Sequence, residues 1–335
     1  MNSPVLHRSL FVAVLLIPAL GFAQTRCGAS FEREPTKTTI NVCRDELHGP
    51  ISRGMKEEIL TILGKTYLAQ GEQDIAIASW NEASQYTLPA KDQPEANQKW
   101  AELQVLIAQT YAQMDKPKLA YAQYMKALKT LKVTSGERSV PSAVVYDSLG
   151  TFYAQQKEAE KAEHAFLRSR IVYEIRLGAD NPKTIDTRLN NAVALMDLGQ
   201  ADQAKARFEE LAKIVNTDTY YENQPIRAEI LTFLGTMEMQ DNDLRSAAMH
   251  YEQAFNVRQT AFGPNDLRTS QSLNNLGVVL FRAGNLQRAE QALSRAYIIR
   301  KDLLGEKDPL TVSTQRNLQA VIAAEDAAAK RPINN

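Results

Sequence analysis

The chain has 335 residues, 44% of them hydrophobic and 23% charged, which fits a folded chain and argues against a disordered one. Its 39 basic and 39 acidic residues cancel, so no basic field is available for nucleic acid or for acidic lipid. Neither is expected as a partner.

The first segment differs from the rest. Arg8 is followed by an apolar run from Leu10 to Phe22, and Gly21 and Ala23 are the small residues that favour cleavage. Residues 1–23 read as a secretory signal peptide, too short for a spanning helix, and the mature chain is expected to hold no membrane span. Export to a periplasm, or secretion, follows. The next segment, 24–51, holds the only two cysteines, Cys27 and Cys43. In an exported chain they are expected to form one disulfide, stapling an N-terminal cap that includes an extended stretch at Thr38–Val42. Closing that loop is worth about 3 kcal/mol in the chain-entropy model. A redox role is disfavoured because no C-x-x-C spacing is present.

From residue 52 a helical pattern repeats. Ala76, Ala120, Ala162, Ala204, Ala247 and Ala289 recur at intervals of 42 to 44 residues, and four positions after each stands Trp80, Tyr124, Phe166, Phe208, Tyr251 or Leu293. Such a period indicates one helix-pair unit used six times. An earlier helix precedes each alanine, with Leu63-Gly64, Leu149-Gly150 or Leu276-Gly277 allowing close approach. Gly71, Gly199 and Gly284 suit the turns inside units. Pro94, Pro141, Pro182, Pro225 and Pro309 start the first helices, Asn181 and Asp308 are N-caps, and Gly178 and Gly305 close the preceding helices. Glu238 replaces the expected Tyr or Leu in unit five. A seventh, unpaired helix near 308–330 is expected to cap the array, with a disordered tail at 331–335.

The segments Ala162–Thr184 and Ala289–Thr311 both open A-E, then show Gly, Pro four later and Thr six later; LNNAVAL and LNNLGVVL extend the likeness. At these residues the chain resembles the tetratricopeptide repeat family, in the 42-residue variant of kinesin light chains and many bacterial repeat proteins. That variant usually has His before the Pro, where Asn181 and Asp308 stand here. The resemblance implies an all-α, right-handed α-solenoid over 52–330, with first helices lining a concave groove. It also implies that asparagines in that groove clamp a peptide main chain.

Aligned across units, the leading inward position reads Thr61, Val105, Asp147, Asn190, Thr232, Asn274 and Asn317. The next reads Lys65, Gln109, Thr151, Ala194, Thr236, Val278 and Val321. An amide offers a donor and an acceptor together, as an extended backbone does. The candidate groove contacts are therefore Asn190, Asn274, Asn317, Asp147 and Gln109, with Arg282 as a carboxylate partner. The competing reading is that these amides bond neighbouring helices or face water. Tyr220 and Tyr221, on a polar connector, form a second candidate contact.

Chemistry is not indicated. There is no H-E-x-x-H, phosphate-binding loop, nucleophile elbow or dinucleotide fingerprint, and His48, His164 and His250 are too scattered to share a metal. Adjacent acids such as Glu57-Glu58 and Glu209-Glu210 read as solvated surface. The expectation is a non-catalytic, cofactor-free adaptor or scaffold of the cell envelope that holds a protein or peptide partner. Two alternatives stand beside it: a structural protein that self-associates through convex or terminal surfaces, and an enzyme or sensor acting on envelope polymers.

Overall fold

The computed structural model describes residues 25–33, 35–217, 220 and 224–329. The proposed signal peptide, the tail from 331 and Tyr221 lie outside the described residues. Fifteen α-helices and no strands are found among those described. They divide into two compact units, one ending at Thr187 and the other beginning at Arg188.

The first unit opens with α1 (Arg26–Arg33) and α2 (Lys37–Leu47), which both pack on α3 (Arg53–Ala69). The extended stretch expected at Thr38–Val42 is helical instead. Its β-branched residues favour a strand in isolation, but no strand lies among the described residues to pair with. A helix lets Ile40 and Cys43 bury one face against Ile59 and Leu63 of α3. Cys27 and Cys43 form the expected disulfide, both fully buried, with their Cα atoms 4.5 Å apart. The Glu46 carboxylate of α2 accepts from the Cys27 backbone N–H at 2.9 Å, satisfying an orphan donor at the start of α1.

Three helix pairs follow: α3 with α4 (Gln73–Ser84), α5 (Pro94–Gln113) with α6 (Pro117–Thr134), and α7 (Val140–Gln155) with α8 (Ala159–Leu177). The first half of α9 (Pro182–Asp197) closes this unit. The second unit contains the rest of α9 with α10 (Ala201–Thr217), then α11 (Pro225–Gln240) with α12 (Leu244–Phe262) and α13 (Leu267–Arg282) with α14 (Leu286–Leu304). The last helix, α15 (Pro309–Ala329), packs on α14 and touches α13.

All six repeat alanines are fully buried, and none of their six bulky followers is more than 4% exposed. The reason is a small-to-large contact within each pair. A Cβ on Gly64 would lie 2.2 Å from the Trp80 ring, on Gly150 2.7 Å from Phe166, and on Gly277 2.5 Å from Leu293. On Gly235 it would lie 3.1 Å from Tyr251, a milder crowding. The bulky residue also reaches the next repeat: Tyr124 sits 5.8 Å from Phe152 of α7, and Phe208 stacks at 4.9 Å on Phe233 of α11.

The turn inside each pair is equally regular. Gly71, Gly199 and Gly284 have positive φ as expected, and Asp115, Lys157 and Asn242 take the same conformation at the same place, five residues before each alanine. Glycine does this without cost, whereas a side chain resists it. Asn181 and Asp308 cap their helices through the N–H groups of Lys183 and Leu310.

Two substitutions test this account. Gly64→Ala should lower stability by about 1–3 kcal/mol through overpacking, and Gly235→Ala should cost clearly less. Urea midpoints followed by circular dichroism would measure both, and equal costs would refute the small-to-large explanation. Lys157→Gly should raise stability by up to about 1 kcal/mol through relief of its left-handed backbone. A lowered midpoint would show that the Lys157 side chain contributes more than its strain removes.

Candidate functional site

The first helix of each pair carries polar residues one and two turns apart, and these meet across repeats. In the first unit the row is charged. Glu57 of α3 is only 6% exposed, and its carboxylate accepts from Lys99 Nζ of α5 at 3.1 Å. This corrects the expectation of a solvated acid. Thr61 donates back to the Glu57 carbonyl at 2.8 Å. Lys65 is 5% exposed; burial pushes its pKa down, opposed by the charges of Glu102 and Glu57.

Asp147 of α7 is half-buried and its Oδ1 accepts from the Thr187 hydroxyl at 2.8 Å, so it ties α7 to the start of α9. Its charge also reaches Tyr173 of α8. That phenol is held well above its ordinary range, by burial first and then by Asp147 and Glu102. Gln109 is half-buried on α5, one turn beyond the buried Val105.

In the second unit the row is neutral. Asn190 is half-buried on α9. Thr232 is buried and donates to the Ala228 carbonyl, and Thr236 lies 3.0 Å from the Tyr251 hydroxyl. Asn274 and Asn317 are brought together: Asn317 Nδ2 donates to Asn274 Oδ1 at 3.2 Å, and the Thr314 hydroxyl donates to the same oxygen at 3.3 Å. These amides do bond a neighbouring helix, as the competing reading held. The bond also orients them. Asn274 keeps its Nδ2 donors and Asn317 its Oδ1 acceptor without partners among the described residues, and both side chains remain half-exposed.

Arg282 does not project freely. Its guanidinium donates to the Met239 carbonyl and to Asn242 Oδ1, both at 3.3 Å, and so joins the end of α13 to the turn after α11. Glu238, the exception in unit five, lies 2.7 Å from His250 Nδ1 across the α11–α12 pair, an ion pair or hydrogen bond where other units place apolar contact. Tyr220 is exposed beside its connector.

Sequence reasoning missed two buried arginines. Arg258 of α12 donates to Ser272 Oγ at 2.6 Å, and Arg300 of α14 donates to Ser270 Oγ, the Leu310 carbonyl and Thr314 Oγ1. Burial lowers the pKa of each guanidinium, against the pull of Glu229 on Arg258 and of Asp308 on Arg300. They act as clamps between consecutive repeats. The signal was present, because each stands eleven residues after its repeat alanine, but in unit three that place is Tyr173. Among the described residues no cluster of three or more metal-ligating side chains is found, and no helix is long and apolar enough to cross a membrane.

Tetratricopeptide-repeat family models match residues 101–130, residues 142–183, and residues 226–302 with 268–320. The clustered mitochondria protein homolog of Aspergillus niger is 27% identical over 180 residues, covering 53% of this chain and 14% of that protein. The chain thus spans a small part of the curated relatives it matches. BtubC (BKLC) from P. vanneervenii superposes with a TM-score of 0.60 at 19% identity, covering 70% of this chain and 91% of that one. The kinesin light chain-like repeats of Podosopora anserina give 0.52 at 15% identity, covering 61% and 97%. At these identities the likeness to solved structures is one of fold. The chain carries tetratricopeptide repeats, of a kind with kinesin light chain-like structural neighbours.

Proposed function

We propose that this repeat chain is a non-catalytic adaptor or scaffold of the cell envelope, which holds an extended segment of a partner protein along its first-helix row. Stacked helix pairs present long surfaces of this kind, and the function resides in the residues that line them.

The observation that carries the reading is the Asn274–Asn317 pair. Each amide is fixed by the other, yet one offers donors and the other an acceptor. A peptide main chain needs that combination. Because the pair is already oriented, a partner meets side chains with little rotamer freedom left to lose. Asn190 of α9 would extend the row two pairs earlier, with Thr232 of α11 between them. Export is supported by the apolar run before Ala23 and by the Cys27–Cys43 disulfide, a bond that persists in oxidising compartments.

The test is affinity capture from the native cell envelope. Asn274→Ala with Asn317→Ala should weaken capture of the partner about tenfold, the sum of two ordinary hydrogen bonds, with helicity unchanged. Thr314→Val removes the hydroxyl's bonds to Asn274 and to Arg300 but leaves both amides in place, so it should lower stability yet capture normally. Equal capture by the double variant and the parent would reject the amide row as the binding site.

A further inference from the structure

A pocket of about 320 Å³ opens to solvent between α7 and α8. Its floor is Tyr146, Leu149 and Tyr153, at i, i+3 and i+7 on α7, and its wall is Lys161, His164 and Arg168 of α8. Tyr121 of α6 approaches from the other side, with its ring 6.4 Å from that of Tyr153. Tyr146 is adjacent in sequence to Asp147, so the pocket lies on a different side of α7 from the first-helix row.

The two ends of the pocket differ. At the Tyr153 end Lys161 lies over the ring, 5.4 Å from its centre, and is neutralised by an ion pair with Glu158. Tyr121, beside Tyr153, leaves apolar surface there, and Met125 lies one turn further along α6; they are 42% and 41% exposed. At the Tyr146 end, Lys132 is paired with Glu137. Arg168 lies 5.4 Å from the Tyr146 ring centre, and its Nη1 donates to the Tyr146 hydroxyl at 3.0 Å. No carboxylate among the described residues lies within ion-pair distance of Arg168. Glu137, already paired with Lys132, feels the charges of both Arg168 and Arg138, so three cations share one acid at this end. Glu160, the one acid lining the pocket, stands on the first turn of α8, away from this end.

We propose that this pocket is a second docking site, in which a partner protein plants one large apolar side chain over Leu149 while a neighbouring carboxylate of the same segment meets Arg168. The volume is at the small end of the roughly 300–1,000 Å³ usual for ligand sites, room for one side chain rather than an enclosed molecule. Tyrosine and arginine are the residues that most often dominate such contacts. The carboxylate would add a direct ion pair to a guanidinium whose one hydrogen-bond partner among the described residues is the Tyr146 hydroxyl, at an end where three cations share Glu137. The site is independent of the amide row.

The experiment is selection of a displayed random-peptide library on the full chain, followed by binding of the enriched synthetic peptides by fluorescence anisotropy. Enriched sequences should share a large apolar residue beside Asp or Glu. Arg168→Glu and His164→Trp, both exposed positions on α8, should each weaken binding at least tenfold, by reversed charge and by filling the pocket. Asn274→Ala with Asn317→Ala should leave it unchanged. Enriched peptides without acids, binding undiminished in both α8 variants, or failure to enrich any sequence would each overturn the proposal. So would sedimentation showing that the chain self-associates through this surface and that His164→Trp abolishes it.

Discussion

Each helix pair depends on one contact, between a small residue on its first helix and a large one sixteen positions later on its second. Gly64 meets Trp80, Gly150 meets Phe166, Gly235 meets Tyr251 and Gly277 meets Leu293. Ala108 and Tyr124, and Ala192 and Phe208, hold the same spacing and are equally buried. A fixed spacing requires a fixed turn. Every turn therefore has its left-handed residue at one position, even where the chain supplies Asp115, Lys157 or Asn242 in place of glycine. Close packing inside the pair is thus strong enough to impose an unfavourable backbone on an ordinary residue.

Once that contact is satisfied, each pair has an outer surface free to vary. Between repeats, different residues solve the same problem. Arg258 and Arg300 clamp the later pairs through serine and threonine hydroxyls, whereas Tyr173 occupies the equivalent place in the third. The first-helix row varies too, from Glu57, Lys65 and Lys99 to the amides of Asn274 and Asn317. Among its charged members, Glu57 and Lys99 are tied to one another at 3.1 Å and Asp147 is held by Thr187. Asn274 and Asn317 retain unused donors and an acceptor among the described residues, which is why the proposed binding is placed on them and not on the charges.

The parts legible in the sequence were those set by local or periodic rules. The alanine period, the prolines at helix starts and the caps at Asn181 and Asp308 each depend on residues close along the chain. What was hidden depended on partners far away. Thr38–Val42 reads as extended because its β-branched residues favour that state. The helix forms because Ile40 and Cys43 share a face that α3 buries. Glu57 reads as surface because it is one of two adjacent acids, and nothing nearby in sequence announces Lys99. Arg282 was expected to reach outward to a carboxylate, but it turns back to Met239 and Asn242 because the preceding repeat leaves a carbonyl within reach.

The candidate amides show how a structural role and a binding role can coincide. A free asparagine on a helix surface samples several rotamers and would lose that freedom on meeting a ligand. Bonding Asn317 to Asn274 removes the freedom during folding and uses one group from each side chain. The remaining groups, on two half-exposed side chains, are then held in a set order, donor from one repeat and acceptor from the next. Bonds between neighbouring helices therefore do not argue against binding at this row. They are what fixes the order of donor and acceptor that an extended backbone could follow.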